Sequence, residues 1–411
     1  MTRRRPLDRA TGVLGRIRGD LLDGDVVYLL APAGHPNYGD ELLLRTWLRV
    51  LERLRPRTRV VVDCHTPGQA ALLHRGANAD VVFTDTVWRL VAECSGAEDP
   101  GRAAVDLVRR ALADPGTRPA LAAGVETLLG ASVVHVIGGG FVNAHWPHHL
   151  GVLAAASEAA RLGGARAVAT GQGLVPVGDG AMLAEALDGV ESVTTRDAAS
   201  RAALADAGRA DGVDLVGDDA WLALSEWARP GDLYRDDPDV ARDVVLCLQS
   251  DLGDVDAVTA LAGETLRGWA VPGERMTVIE GIPGADRVVW DRLVASPLGA
   301  ELGLAASRFV PFDELWRTGL PARPGQAWLS TRFHPHLLAA AAGASGAAVA
   351  VDPDYYGAKH ASVRDAGSAW TLTGPGDAAP ALPADGGVGA GEVARRVEAA
   401  EQLAARLYRP N

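Results

Sequence analysis

Residues 25–54 read "DVVYLLAPAGHPNYGDELLLRTWLRVLERL", and the order of their chemistry sets the fold class. Val26–Leu30 is apolar without alternation, the pattern of a strand buried on both faces of a parallel sheet. From Leu42 onward apolar residues recur at helical spacing. Between the two, Gly34–Glu41 holds His35, Asn37, Gly39, Asp40 and Glu41. A plain strand-to-helix turn needs only a glycine and a cap. This one carries a dense set of hydrogen-bonding groups as well.

The same order recurs along the chain. "RTRVVVDCH" (from Arg57) reads as a strand before a helix, and "ADVVFTD" (from Ala79) as a short third strand. An Ala-rich helical stretch runs from about Val87 to Leu129, then "SVVHVIGGG" ends a strand in glycines. "ARAVATGQG", "VESVTTRDAAS" and "VDLVGDDAWLAL" complete the first half. Ser225–Asp243, rich in Pro, Gly and Asp, reads as a linker. A second alternating set follows, with strands at "VVLCLQ", "RMTVIEG", "SRFVPF", "QAWLSTRFH", "GAAVAVD" and "AWTLTG". The expected fold is α/β, with two doubly wound Rossmann-like domains facing a cleft. The expected domains are 1–228 with a basic lead-in, 240–375, and a linker with a terminal helix over 376–411.

The totals agree with that division, because 411 residues exceed one ordinary core. A net charge of −12 argues against a general nucleic-acid binder, which would need to neutralise phosphates. No integral membrane segment is expected, and "MTRRRPLDRATGVLGRIRGD" lacks the apolar core of a signal peptide. It reads as a frayed lead-in or an amphipathic helix lying on the body. Cys64, Cys94 and Cys247 are far apart and read as free thiols in a reducing cytoplasm. Of 40 basic residues only Lys359 is a lysine. A bias toward arginine explains the others but not the survival of this one.

Ligands of doubly wound sheets sit at the carboxyl ends of the strands, so polar groups in strand-to-helix turns are site candidates. Five turns qualify: "GHPNYGDE", "GGGFVNAHW", "TGQGLVP", "TTRDAAS" and "STRFHPH". Gly138, Gly139 and Gly140 can aim amides at an anion. A dinucleotide fingerprint would need glycine at 143, where Asn143 stands. Asp197 reads as a helix cap and leaves Arg196 available for a carboxylate or phosphate. Arg332 and His334 alternate along an expected strand end, so they share a face and can bind an anion and move a proton. His145, His148 and His149 lack a nearby acidic or cysteine partner, so no metal is expected. There is no G-x-S-x-G elbow and no glycine-rich turn ending in lysine.

Taken in order, the turns resemble those of the polysaccharide pyruvyl transferase family. The pieces are "GHPNYGDELLL", "VIGGGFVN", "ATGQGLVP", "TTRDAASRAAL" followed by "VGDDAWLAL", and "LSTRFHPHLLAAAAG" followed by "VDPDYYGAKH". The resemblance implies a glycosyltransferase-B-like pair of domains, acceptor side first and donor side second. It implies transfer of a pyruvyl group from phosphoenolpyruvate to two hydroxyls of a sugar, forming a cyclic ketal, with no cofactor beyond that donor. It puts donor binding on Arg196, Arg332, Lys359, Gly139 and Gly140. His334 becomes the acid or its relay, and Asp40 the base. Acceptor contacts fall to His35, Asn37, Asn143 and Gln172. The partner is a sugar or glycan precursor, lipid-linked or free, and a homo-oligomer is compatible. Pro335-His336 and the histidine-rich "GGGFVNAHWPHH" depart from the family pattern and suggest an unusual acceptor. The alternatives are a nucleotide-sugar glycosyltransferase of the same fold and a non-catalytic carbohydrate-binding relative.

Overall fold

The computed structural model describes residues 25–409, and the basic lead-in lies outside them. All five residues of β1 (Val26–Leu30) are buried, so no polar face is needed. Around it stand β2 (Arg59–Asp63), β3 (Val81–Thr84), β4 (Val133–Val136), β5 (Arg166–Gln172), β6 (Ser192–Thr195) and β7 (Val213–Leu215). They form one parallel sheet in the order β3-β2-β1-β4-β5-β6-β7. The second sheet holds β8 (Val244–Cys247), β9 (Met276–Ile279), β10 (Arg308–Val310), β11 (Ala327–Ser330), β12 (Ser345–Val349) and β13 (Thr371–Thr373). Its order, β10-β9-β8-β11-β12-β13, repeats that of the first. The chain is thus α/β with two Rossmann-like domains.

Each sheet reverses its strand order once, between β1 and β4 and between β8 and β11. Crevices open at such points, beyond the carboxyl ends of the strands. The turns after β1, β4, β8 and β11 therefore face one another across the domain boundary. Several contacts hold the boundary closed. Tyr38 N–H donates to the Gly281 carbonyl at 2.9 Å. Trp316 Nε1 donates to the Leu73 carbonyl at 3.1 Å, and the Arg45 guanidinium lies 3.4 Å from the Trp316 ring.

The Ala-rich stretch from Val87 to Leu129 is three helices, Thr86–Ala92, Pro100–Ala113 and Ala122–Leu129. Proline explains the breaks: Pro100, Pro115 and Pro119 each open a new helical element, where a missing N–H costs nothing. The terminal helix Ala390–Tyr408 returns to the first sheet. Fully buried Tyr408 meets His135 Nδ1 at 2.7 Å through its hydroxyl, and its ring packs on Trp47. Arg166 donates to the Leu407 carbonyl at 2.8 Å.

Tyr408→Ala should lower stability by about 3–5 kcal/mol through the cavity left beside Trp47. Tyr408→Phe should cost about 1–3 kcal/mol, the expense of an unpaired buried partner. Melting temperatures of the two variants against the parent check the order.

Candidate active site

The domain boundary encloses a cleft of about 540 Å³. His35, Asn37, Asp40, Gly140, Arg196, Arg332, His334 and Lys359 all line it. The turn after β1 sorts its two acids. Asn37 caps the helix Tyr38–Leu54, accepting from Gly39 N–H at 3.1 Å and donating through Nδ2 to Asp40 at 2.8 Å. Glu41 points inward, where it accepts from Gly34 N–H at 2.8 Å and meets His74 Nε2 at 2.7 Å. Asp40 faces the cleft. Burial, with Glu41 and Asp218 nearby, raises its carboxyl to about 6 against the opposing pull of His334 and Lys359.

Arg196, at the end of β6, is buried and 3.3 Å from Asp197, whose other oxygen caps the next helix through Ser200 N–H at 2.7 Å. Asp218 lies 3.8 Å from Arg196 Nη1 and 3.5 Å from His334 Nε2. Burial pushes the Asp218 carboxyl up, but His334 and then Arg196 outweigh it and hold the group below its usual range. Arg196 Nη2, Asp218 Oδ2 and His334 Nε2 are buried without a hydrogen-bond partner. Three such atoms on adjoining side chains indicate a place that a polar ligand completes.

Close approach explains two glycines. A Cβ on Gly39 would sit 1.8 Å from His334 Nδ1, so the imidazole of one domain uses the space over the first helical turn of the other. A Cβ on Gly173 would sit 1.9 Å from Arg196 Nη2. Lys359, on the helix Pro353–Asp365, is 5% exposed with no carboxylate within ion-pair distance among the described residues. Its Nζ lies 3.0 Å from the Tyr355 ring centroid, and Tyr355 donates to the Gly140 carbonyl across the boundary at 2.7 Å. Burial, then neighbouring Arg196, pushes the ammonium pKa well below its ordinary value.

Several expectations need correction. The strand "QAWLSTRFH" stops at Ser330; Arg332 is the N-terminal flank of the helix Phe333–Ala341 and His334 lies in its first turn. Pro335 fits there because first-turn amides are unpaired in any helix. The two side chains therefore diverge. Arg332 gives its guanidinium to its own domain, to Asp286 at 3.0 Å through Nε and to Asp251 at 2.6 and 3.1 Å through the Nη atoms. Arg332 therefore reaches the cleft already ion-paired, which sets it apart from Arg196. Gly139 sits inside a continuation of the sheet: its N–H faces the Gly171 carbonyl at 3.4 Å and its carbonyl accepts from Gly173 N–H at 2.8 Å. Gly138 N–H donates to buried Asp219 at 2.9 Å. Neither amide is free for an anion. Gln172 is buried and ties β5 to the end of β4, donating to Ile137 and Thr170 carbonyls at 3.0 and 2.8 Å. Asn143 braces its own loop against Gly140 and His145, beside a separate cavity of about 60 Å³. Neither reaches the cleft wall.

The sequence reasoning missed Asp218, Tyr355 and His65. Asp218 follows β7 and His65 follows β2, so the strand-end rule could have found both. No group of three or more His, Cys, Asp or Glu side chains among the described residues is placed to hold a metal ion.

A family model for polysaccharide pyruvyl transferase matches residues 37–263, more than half of the chain. That span includes Asp40, Arg196 and Asp218 and ends before Arg332, His334 and Lys359. No curated protein matches the sequence. Among solved structures, a UDP-N-acetylglucosamine 2-epimerase described as putative, from Listeria monocytogenes, aligns with a TM-score of 0.49 and 10% identity over 93% of this chain and 90% of that one. The UDP-GlcNAc 2-epimerase of Neisseria meningitidis aligns with a TM-score of 0.46 and 10% identity over 94% and 93%. The spinosyn rhamnosyltransferase SpnG aligns with a TM-score of 0.43 and 12% identity over 93% and 91%.

Arg332→Ala should destabilise the protein by about 3–5 kcal/mol, because it strands buried Asp286 without its cation. Adding Asp286→Asn should restore part of the loss. Thermal melts of the single and double variants check both.

Proposed function

Because the chain belongs to the polysaccharide pyruvyl transferase family and is a transferase, we propose that its cleft uses phosphoenolpyruvate as donor. The pyruvyl group passes to two hydroxyls of a sugar or glycan precursor, closing a cyclic ketal and releasing phosphate. One observation carries this reading: Arg196, Asp218 and His334 meet beside Lys359 with buried polar atoms left unpaired.

The donor brings a carboxylate and a phosphate, and the cleft offers two cations not fully committed to carboxylates. Arg196 has an unpaired Nη2, and Lys359 has aromatic ring faces and no ion-paired carboxylate beside it among the described residues. Charge-assisted bonds to both ends of the donor suit that pair. A bound phosphate would also counter the burial that disfavours the Lys359 ammonium. No further cofactor enters, since the donor supplies both the carbon group and the leaving group.

The steps balance as follows. His334, held against ionised Asp218, gives a proton to C3 of the enol, and C2 becomes electrophilic. A first acceptor hydroxyl bonds to C2 as Asp40 takes its proton. The C2–O bond to phosphate then breaks while Arg196 and Lys359 stabilise the leaving group. The second hydroxyl bonds to C2, and its proton leaves with phosphate. The proton gained by Asp40 replaces the one that His334 gave.

Calorimetry should show phosphoenolpyruvate binding that Arg196→Ala or Lys359→Met abolishes. His334→Ala should keep binding and lower kcat by about 10²–10⁴-fold. A wild-type protein that binds no phosphoenolpyruvate, with or without sugars, would sink the proposal, as would turnover of a nucleotide sugar in its place.

Asp40 acts in this scheme as a carboxylate whose pKa is about 6. Below pH 6 it is protonated, so kcat/KM should fall about tenfold per pH unit and level off above that point. Asp40→Asn should remove this limb from the pH profile together with most of the rate.

A further inference from the structure

One wall of the cleft takes no part in that chemistry. His35, His65, Phe141, Trp146, His148 and His149 all line it. Their rings form one connected surface. His65 and His149 stand 6.1 Å apart, and His148 and His149 4.3 Å. Trp146 stacks on His149 at 6.2 Å and meets Tyr355 edge-on at 5.8 Å. Tyr355 is the ring beneath Lys359 Nζ, so the wall runs up to the reacting end.

The wall also carries no permanently charged side chain. Burial lowers His149 to about 3 and shifts His148 the same way, so both rings are neutral at neutral pH. His149 Nδ1 lies 2.8 Å from the Phe141 carbonyl, which can only accept. The ring proton is therefore on Nδ1, and Nε2 is an acceptor. No Arg, Lys, Asp or Glu belongs to this wall; the charged lining residues are Asp40, Arg196, Asp251, Arg332 and Lys359. Ring faces and neutral acceptors suit C–H groups and hydroxyls. They give a phosphate or carboxylate nothing to pair with.

We propose that this wall is the acceptor subsite and that it takes an uncharged pyranose, stacked through one face of its ring on His65 and Trp146. Any anionic part of the acceptor stays outside the cleft. The word acceptor rests on the pyruvyl-transfer reading; the preference for a neutral sugar rests on the wall alone.

The test is saturation-transfer NMR on the full chain with methyl glycosides of neutral hexoses and N-acetylhexosamines. Methyl glucuronide, glucose 1-phosphate and UDP serve as charged rivals. Neutral glycosides should receive saturation on protons of one ring face. His65→Ala and Trp146→Ala should each weaken them about tenfold. His65 is exposed, so its variant is informative even if the Trp146 variant melts early. A preference for the glucuronide or the sugar phosphate overturns the proposal. So do displacement of the glycoside by UDP, binding indifferent to both variants, and absence of any glycoside binding. Phosphoenolpyruvate titrated into the same samples reads the donor end separately. Glycoside binding that obeys these expectations without phosphoenolpyruvate binding would sink pyruvyl transfer and leave the sugar wall standing.

Discussion

His334 occupies volume that belongs to the other domain. Its ring fills the space a side chain on Gly39 would need, and its Nε2 stands 3.5 Å from Asp218. Each half of the site is incomplete alone. The first domain supplies Arg196, Asp218 and Asp40, and the second supplies His334 and Lys359. The bond from Tyr355 to the Gly140 carbonyl has the same effect at the lysine end. The groups proposed as acid, base and cations therefore come together only where the two domains meet.

Two buried arginines illustrate how burial separates structure from function. Arg332 is neutralised by Asp251 and Asp286, which makes it a strut for the loops after β8 and β9. Arg196 has looser partners at 3.3 and 3.8 Å and an Nη2 with none. Lys359 goes further, with aromatic rings where carboxylates would be. Those rings compensate a desolvated ammonium only in part. The pocket around its tip is also narrow, since a Cβ on Gly140 would lie 2.9 Å from Nζ. A planar guanidinium is broader than an ammonium, and this explains a lysine at 359 in a chain that otherwise uses arginine.

The sequence carried the architecture because strand and helix periods are local. Continuous apolar runs gave both parallel sheets, and glycine or proline marked most boundaries. The strand-end rule separated residues by height in the sheet, and Asp40, Arg196 and His334 do stand at the cleft, as does Lys359, which only the resemblance implied. It could not say which way each turn faces. Gln172 ends β5 and Asn143 lies beyond β4, yet both amides bond to nearby backbone because the sheet continues through the two glycine turns. The ion pairs of Arg332 were hidden for a different reason. Its partners Asp251 and Asp286 are distant in sequence, and no periodicity reports such pairing. The same holds for Asp218 and His334, which meet across the domain boundary.

The chain passes between the domains twice, once through Ser225–Asp243 and again where the segment before Ala390 leaves the second domain. Val388 N–H still donates to the Ala340 carbonyl at 2.7 Å, and the helix that begins at Ala390 already lies on the first sheet. Two bodies joined by a single strand can twist, tilt and slide. Joined at two separate points, they keep one easy motion, rotation about the line through both joints. Two separate joints thus limit how the bodies can shift past one another, which favours keeping the His334 ring seated in the notch above Gly39.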